Sequence, residues 1–355
     1  EYVLNDVSST GMNTDISTDI NSAGPSRYPA STWTSLAAYI NDQFRVSDKI
    51  TVQGGLRYNQ FSLNSDFSEN LKYYPFPFQS ADINNGAITG SLGAVYRPTK
   101  TWVFSSNFGT AFRTPNVDDV GKVFDSEPGS VTVPNPNLEA EYAYNIDVSV
   151  AKVIADVVKI DVTGYYTILQ NAMVRRPYQL NGQDSIMYDG ELSQVEAIQN
   201  AAVANVYGIQ AGLEVKLPAG FTFSSQLNYQ IGEEELDDGT TSASRHAAPM
   251  FGVSRLTYNA RKLSLQFYAD YQAKRSFEDL AEEEKDKDEI YAKDENGNNY
   301  APSWYTLNVK AMYQITDHFT VSAGLENMTD QRYRMYSAGI SSPGRNFVMS
   351  LKANF

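Results

Sequence analysis

The chain has no cysteine and only two histidines. The first absence removes disulfides and thiolate metal sites. The second nearly excludes a multi-histidine metal centre. No stretch reaches the roughly 20 apolar residues of a spanning helix. Positive charge is scarce as well: 28 Lys and Arg face 42 Asp and Glu, for a net charge of -14. That argues against nucleic acid as a partner, because a phosphate-binding surface needs clustered cations. Glu1 is preceded by neither an initiator Met nor a signal peptide, so a processed or trimmed product is expected, and location must be read from the pattern.

What the chain does have is aromatic and alternating. Its 355 residues include 24 Tyr and 17 Phe. From Trp33 onward, apolar side chains recur at every second position. Between Lys49 and Ser62, Ile50, Val52, Leu56 and Tyr58 oppose Lys49, Thr51, Gln53, Arg57 and Asn59. Trp102, Phe104, Phe108 and Phe112 likewise oppose Ser105, Asn107 and Arg113. Such runs are strands with one apolar and one polar face. About thirteen of them can be counted, with no convincing helix.

The connections alternate between short and long. Long polar stretches are expected up to about Ala87, over 171–202 and over 275–302, and residues 1–32 read as a loop. In an up-and-down barrel across a membrane, short turns lie on one side and long loops on the other. A large soluble all-β protein would alternate too, and its mean hydropathy of -0.40 would be ordinary, but nothing would enforce the loop asymmetry. The expected fold is therefore all-β, a transmembrane antiparallel up-and-down β-barrel. Its charge-free face would meet lipid and its polar face water or protein. Tyr and Trp near strand ends suit interface girdles.

The stretch from Phe112 to Leu138 breaks the pattern. Pro115, Pro128, Pro134 and Pro136, with Gly121 and Gly129, rule out one regular element through it. A long, Pro-bounded connection between strands usually carries function, so this loop is the expected rim of a binding site.

Four places in the sequence resemble the C-terminal part of a TonB-dependent outer-membrane receptor. They are FGTAFRTPNV with VPNPNLEAEYAYN, the stretch SRHAAPMFG, the segment GLENMTDQRYRMYSAGISSPGRNF, and the terminal FVMSLKANF. The FRTP and NPNL pair is most similar to the boxes of the haem and haemoglobin receptor branch. The resemblance implies that residues 1–355 are the later strands of a 22-stranded plugged barrel. The plug domain and early strands would be absent from this chain, and residues 1–32 would be an external loop with the end of another strand.

It also implies the cell outer membrane of a Gram-negative bacterium. The implied partners are the lipid bilayer, lipopolysaccharide, the barrel-assembly machinery, and a TonB energy-coupling complex acting through a plug. The implied activity is uptake of a scarce nutrient, haem or an iron chelate such as a siderophore, with no intrinsic cofactor and no enzymatic chemistry. Haem receptors of this branch carry a His between the two boxes, whereas none lies between Phe112 and Leu138. A non-iron cargo such as cobalamin, and a passive porin-like channel, stay open.

The ligand-binding candidates are Phe112, Arg113, Asn135, Asn137, Tyr165, His246 and Tyr268. By parity Arg113 faces inward with Ser105 and Asn107, where its guanidinium could pair with a ligand carboxylate or with a lumen acid. Asn135 and Asn137 flank Pro136 and either touch ligand or form the turn that places the loop. His246 is the one imidazole among the long loops and could ligate haem. Tyr165 and Tyr268 face inward by parity and could ligate ferric iron or hydrogen-bond in the lumen. No metal site is expected; the acidic run Glu278–Glu295 reads either as a cation-binding loop or as a solvated one. Phe355 resembles the C-terminal signal of barrel assembly.

Overall fold

In this computed structural model the described residues are 1–121, 125–127, 129–188, 190–236, 239–245 and 247–354; for 125–127, 201–202 and 283 only the backbone is described. His246 and Phe355 lie outside the described residues.

Among the described residues, fourteen strands build one antiparallel wall. They are β1 (Tyr2–Val7), β2 (Ala30–Arg45), β3 (Ile50–Asp66), β4 (Ser80–Thr99), β5 (Trp102–Arg113), β6 (Glu141–Ile154) and β7 (Val158–Pro177). There follow β8 (Glu191–Lys216), β9 (Phe221–Glu235), β10 (Phe251–Ala260), β11 (Leu263–Gln272), β12 (Trp304–Gln314), β13 (Phe319–Glu326) and β14 (Asn346–Ala353). Each strand pairs antiparallel with the next in sequence. The wall thus keeps the expected meander and adds Tyr2–Val7 to the thirteen strands legible as alternation. Turns at one end are short, as at Ala155–Asp156, where both residues have positive φ (51° and 56°) as a two-residue hairpin requires. All long loops emerge at the other end. Among the described residues, helix is confined to Val117–Gly121 and three single 3₁₀ turns.

The predicted outer face is uncovered. Leu36, Ile40, Leu56, Ile88, Leu92, Phe108, Ile146 and Ile209 are all exposed. Water does not favour so many large apolar side chains side by side, whereas lipid does. Aromatic pairs mark the short-turn end: Trp102 stacks on Phe104 at 5.6 Å and Phe221 meets Tyr258 at 4.8 Å.

Along β3 and β4 the two faces exchange character. Below Tyr58 the apolar side chains point outward, and Arg57 and Gln53 point inward. Above it, Phe61, Leu63, Ala81 and Ile83 point inward and are 5% exposed or less. The outer face there is polar and cross-linked, with Gln60 donating to Asn84 at 2.7 Å and Asn64 to Asp82 at 2.6 Å. The switch marks where the lipid-facing band ends.

Parts of three expected loops are strands: within 1–32, besides β1, Gly11–Asp15 pairs antiparallel with Ile20–Gly24. Residues 80–87 belong to β4, and 171–177 and 191–202 continue β7 and β8 as a tall hairpin with Ser185–Tyr188 on its flank. Its parity is interrupted by a bulge between Leu169 and Met173, with Asn171 at φ 56°. A membrane crossing takes ~9–11 residues. The 26 residues of β8 therefore stand far beyond the bilayer.

Candidate functional site

At the long-loop end, two folded caps crown the wall. The first is apolar. Phe61, Leu63, Phe67, Phe76, Val131, Leu138 and Val195 are buried together, drawn from β3, the 67–79 loop, the 114–140 loop and the tall hairpin. The described parts of the 114–140 loop thus hold packed residues, and its segment Ser130–Thr132 pairs in parallel with Gln194–Glu196 of β8.

The two boxes anchor that loop at its ends. Arg113 Nη2 lies 2.6 Å from Asp119 Oδ1, and its Nη1 lies 3.2 Å from Glu141 Oε2. Asn116 caps the helix Val117–Gly121: its Oδ1 accepts from the Asp118 and Asp119 amides, while Asp119 Oδ2 accepts from the Asn116 amide. This is a reciprocal capping box. Asn116→Ala should cost about 1 kcal/mol locally. Hydrogen exchange at the 118 and 119 amides should then accelerate about fivefold, with β6 amides unchanged as the internal check. At the far end, Asn135 Nδ2 donates to Ile198 O at 2.7 Å, and Asn135 Oδ1 accepts from the Asn137 amide at 3.0 Å. Asn200 completes the clamp, donating to Glu139 O and Asn171 O.

Beside Arg113 opens a pocket of about 460 Å³ lined by Tyr28, Trp33, Leu63, Asn116 and Asp118. The Arg113 side chain is 47% exposed there, and Trp33 Nε1 is buried without a hydrogen-bond partner among the described residues. The geometry brings Arg113 and Asn116 together at this mouth. Phe112 packs half-buried between Phe61 and Tyr142, at 6.4 and 6.3 Å between ring centroids. Asn135 is buried in the loop's anchor and Asn137 is exposed.

Tyr165 lies lower on the inner wall and donates to Gln230 Oε1 at 3.2 Å. Tyr268 also faces inward, in register with Arg255 and Asn308. The sequence candidates therefore do not converge on one point. Among the described residues, no group of three or more His, Asp and Glu side chains could hold a metal ion.

The second cap is polar and forms from the loops 236–250, 273–303 and 327–345. Its centre is Glu284, whose side chain is 0% exposed. Arg245 Nε stands 2.7 Å and Lys287 Nζ 3.1 Å from Glu284 Oε1, and Tyr291 donates its hydroxyl to Oε2. Burial by itself would raise the Glu284 carboxyl, but the Tyr291 and Lys287 hydrogen bonds and the charges of Lys287 and Arg245 hold it below the ordinary glutamate value. Burial, with Glu284 as hydrogen-bond partner, drives the Tyr291 hydroxyl far above the ordinary tyrosine value.

Asn327 fixes the start of the last loop at φ 46°, 3% exposed. Its amide donates to Asn308 Oδ1, its Nδ2 to Gln331 O, and its Oδ1 accepts from the Gln331 amide. Trp33, Glu284, Asn327 and Asn200 were not singled out by sequence. Asn327 lies inside the GLENMTDQRYR segment, Glu284 inside the acidic run Glu278–Glu295 and Trp33 at the start of the alternating pattern; Asn200 carried no signal.

An uncovered apolar wall with short turns at one end and folded caps at the other defines an outer-membrane type of barrel. Residues 2–328 match the family model described as TonB dependent receptor-like, beta-barrel, and the chain belongs to that family. Hemoglobin-binding protein A of Haemophilus influenzae is 20% identical over an alignment 347 residues long that covers 86% of this chain and 32% of that protein. The chain thus spans about a third of the length of that relative.

Among solved structures, the copper transporter OprC superposes with a TM-score of 0.73 at 16% identity, covering 98% of this chain and 52% of OprC. The Serratia marcescens hemophore receptor HasR, solved as a double mutant with its hemophore HasA and heme, gives 0.65 at 15% identity, over 94% of this chain and 54% of HasR. The FrpB iron transporter from Neisseria meningitidis gives 0.63 at 17%, over 92% and 46%. These likenesses show the fold.

Proposed function

We propose that the chain is the later barrel wall of a receptor for TonB-dependent uptake of haem or a ferric chelate across the outer membrane. The observation that carries this reading is the Arg113 pocket at the mouth of the first cap. The half-exposed Arg113 guanidinium there offers a donor to a ligand carboxylate, such as a haem propionate or a chelator arm. Haemoglobin binding in one relative and heme in one structural neighbour support a haem cargo. Iron and ferric yersiniabactin transport in other neighbours support a chelate. Lipid and lipopolysaccharide would meet the outer face, and the energy-coupling complex would act through a plug. Phe355, with its alternating apolar partners, would present the assembly signal.

The test is a haem titration of the full-length receptor in detergent, followed at the Soret band, with His246→Ala alongside. A saturable shift lost in the variant makes His246 the ligand. A shift that survives moves ligation elsewhere. No saturable binding of haem, together with no TonB-dependent growth on ferric siderophores, overturns the reading in favour of a passive channel.

A further inference from the structure

The two ends of the wall differ in charge. The short-turn segments 45–50, 97–101, 152–159, 216–221, 259–263 and 314–320, with 352–354, hold ten Lys and Arg and three Asp. The other residues hold 18 Lys and Arg against 39 Asp and Glu, so a strongly acidic chain carries a cationic rim at one end. Among the described residues, only Arg45 and Lys159 of the ten form ion pairs, with Asp48 and Asp161 at 3.3 and 3.4 Å. Lys49, Lys100, Lys216, Arg261 and Lys262 are exposed, in the turns or beside them.

Lys152 shows where this rim meets lipid. It stands opposite Trp102 in the ladder of β5 and β6 and shares the outward face of Ile146 and Val148, which are 48% and 59% exposed. Its Nζ lies 4.0 Å from the Trp102 ring centroid, and Trp102 stacks on Phe104 in the aromatic girdle. An ammonium on a lipid-facing side chain uses its long stem to reach the polar boundary, and aromatic rings mark that boundary. Lys100 is two residues from Trp102. Lys216, Arg261 and Lys262 lie within five residues of the Phe221 and Tyr258 pair of the same girdle. These cations therefore sit at the depth of lipid phosphates.

The other boundary of the lipid band is different. Above Tyr58, residues 60–66 of β3 and 80–86 of β4 contain no Lys or Arg, and Asp66 and Asp82 share the outward face of Asn64. That flank would repel the same headgroups.

We propose that the short-turn rim binds the headgroups of anionic phospholipids in the leaflet it faces. Lys100 and Lys152 form one contact point beside Trp102, and Arg261 and Lys262 form another beside Tyr258. A lipid fits better than an acidic protein at the barrel mouth, because Lys152 lies on the lipid-facing side of the wall. The surface rests on the wall alone and on no choice of cargo.

The test uses the full-length receptor in dioleoylphosphatidylcholine vesicles containing traces of chain-spin-labelled phosphatidylglycerol or phosphatidylcholine. Electron paramagnetic resonance reads the fraction of each label immobilised against the protein. Phosphatidylglycerol should associate about fourfold more strongly at ~20 mM NaCl, and the preference should fall below about 1.5-fold at ~1 M. Replacing Lys100, Lys152, Arg261 and Lys262 together by Gln should remove most of the low-salt preference. Replacing Lys159 and Lys352 by Gln should leave it unchanged, because in register with Glu214 and Thr320 they belong to the inward face.

Equal association of the two lipids at low salt overturns the proposal and leaves the cations to an acidic protein partner. A preference that survives ~1 M NaCl overturns it too, since exposed charges are then screened. So does a preference that the fourfold variant keeps or the inward pair loses. The salt series on the unaltered receptor needs no variant, so misfolding of a variant leaves the test intact.

Discussion

Glu284→Ala should spring the 273–303 loop open. Trypsin cleavage after Lys285 and Lys287 is expected to accelerate on the order of 100-fold, because removing one partner of a buried ion pair strands the others. Glu284 has no exposed surface, and Arg245 and Lys287 converge on one of its oxygens. Tyr291 would lose its acceptor in the same step. The heat stability of the wall should hardly move, since no β-ladder passes through this residue.

The same centre predicts a pH response. The folded carboxyl titrates below the ordinary glutamate value, so its stabilisation is complete above the unfolded value of about 4.3 and is lost as pH falls through the lowered folded value. Cleavage by an acid-active protease should therefore be flat from pH 8 to about 5 and rise below about 4. Glu284→Gln should abolish that dependence. A cleavage rate indifferent to both the substitution and acid would show that the cap is held by other contacts.

Arg113→Ala should loosen the mouth of the first cap. Asp119 and Glu141 are only 11% and 10% exposed, and each is paired with this guanidinium. Without it two nearly buried carboxylates sit close to each other. Hydrogen exchange over 116–121 should rise about 30-fold, the scale of a charge-assisted hydrogen bond worth roughly 2 kcal/mol. Cargo affinity should fall with it. Arg113→Lys keeps the charge but not the planar fork that reaches two acceptors, so it should fall between. If exchange stays unchanged in Arg113→Ala while affinity drops, the guanidinium serves the ligand directly and not the loop.

The wall was legible because lipid imposes the strictest version of a period-2 rule. Leu56, Ile88 and Phe108 had to share a face, and parity alone placed Arg113, Tyr165 and Tyr268 inward. The upper parts of β7 and β8 were not legible. They leave the membrane, lose the requirement for an apolar outer face, and slip parity at the bulge by Asn171. Strand residues 80–87 were read as loop for the same reason: Asp82 and Asn84 are outward-facing and polar because water lies there.

The boxes were legible as landmarks but not as contacts. Asp119 is six residues from Arg113 and Ile198 is 63 from Asn135, and no local pattern announces either pairing. Glu284 was one acid in an acidic run; its burial depends on Arg245, which a different loop brings to it.

The exchange of faces along β3 and β4 also acts as a proofreading device during assembly. A strand with one uniform apolar face is protected against a one-residue slip only once. Here a slip of β3 would drive Gln53 and Arg57 into lipid and, at the same moment, expel Phe61 and Leu63 from the cap into water. Either error alone is costly. Because the two halves report on different solvents, no neighbouring alignment satisfies both, and the strand carries its own gauge of how deep it sits in the membrane.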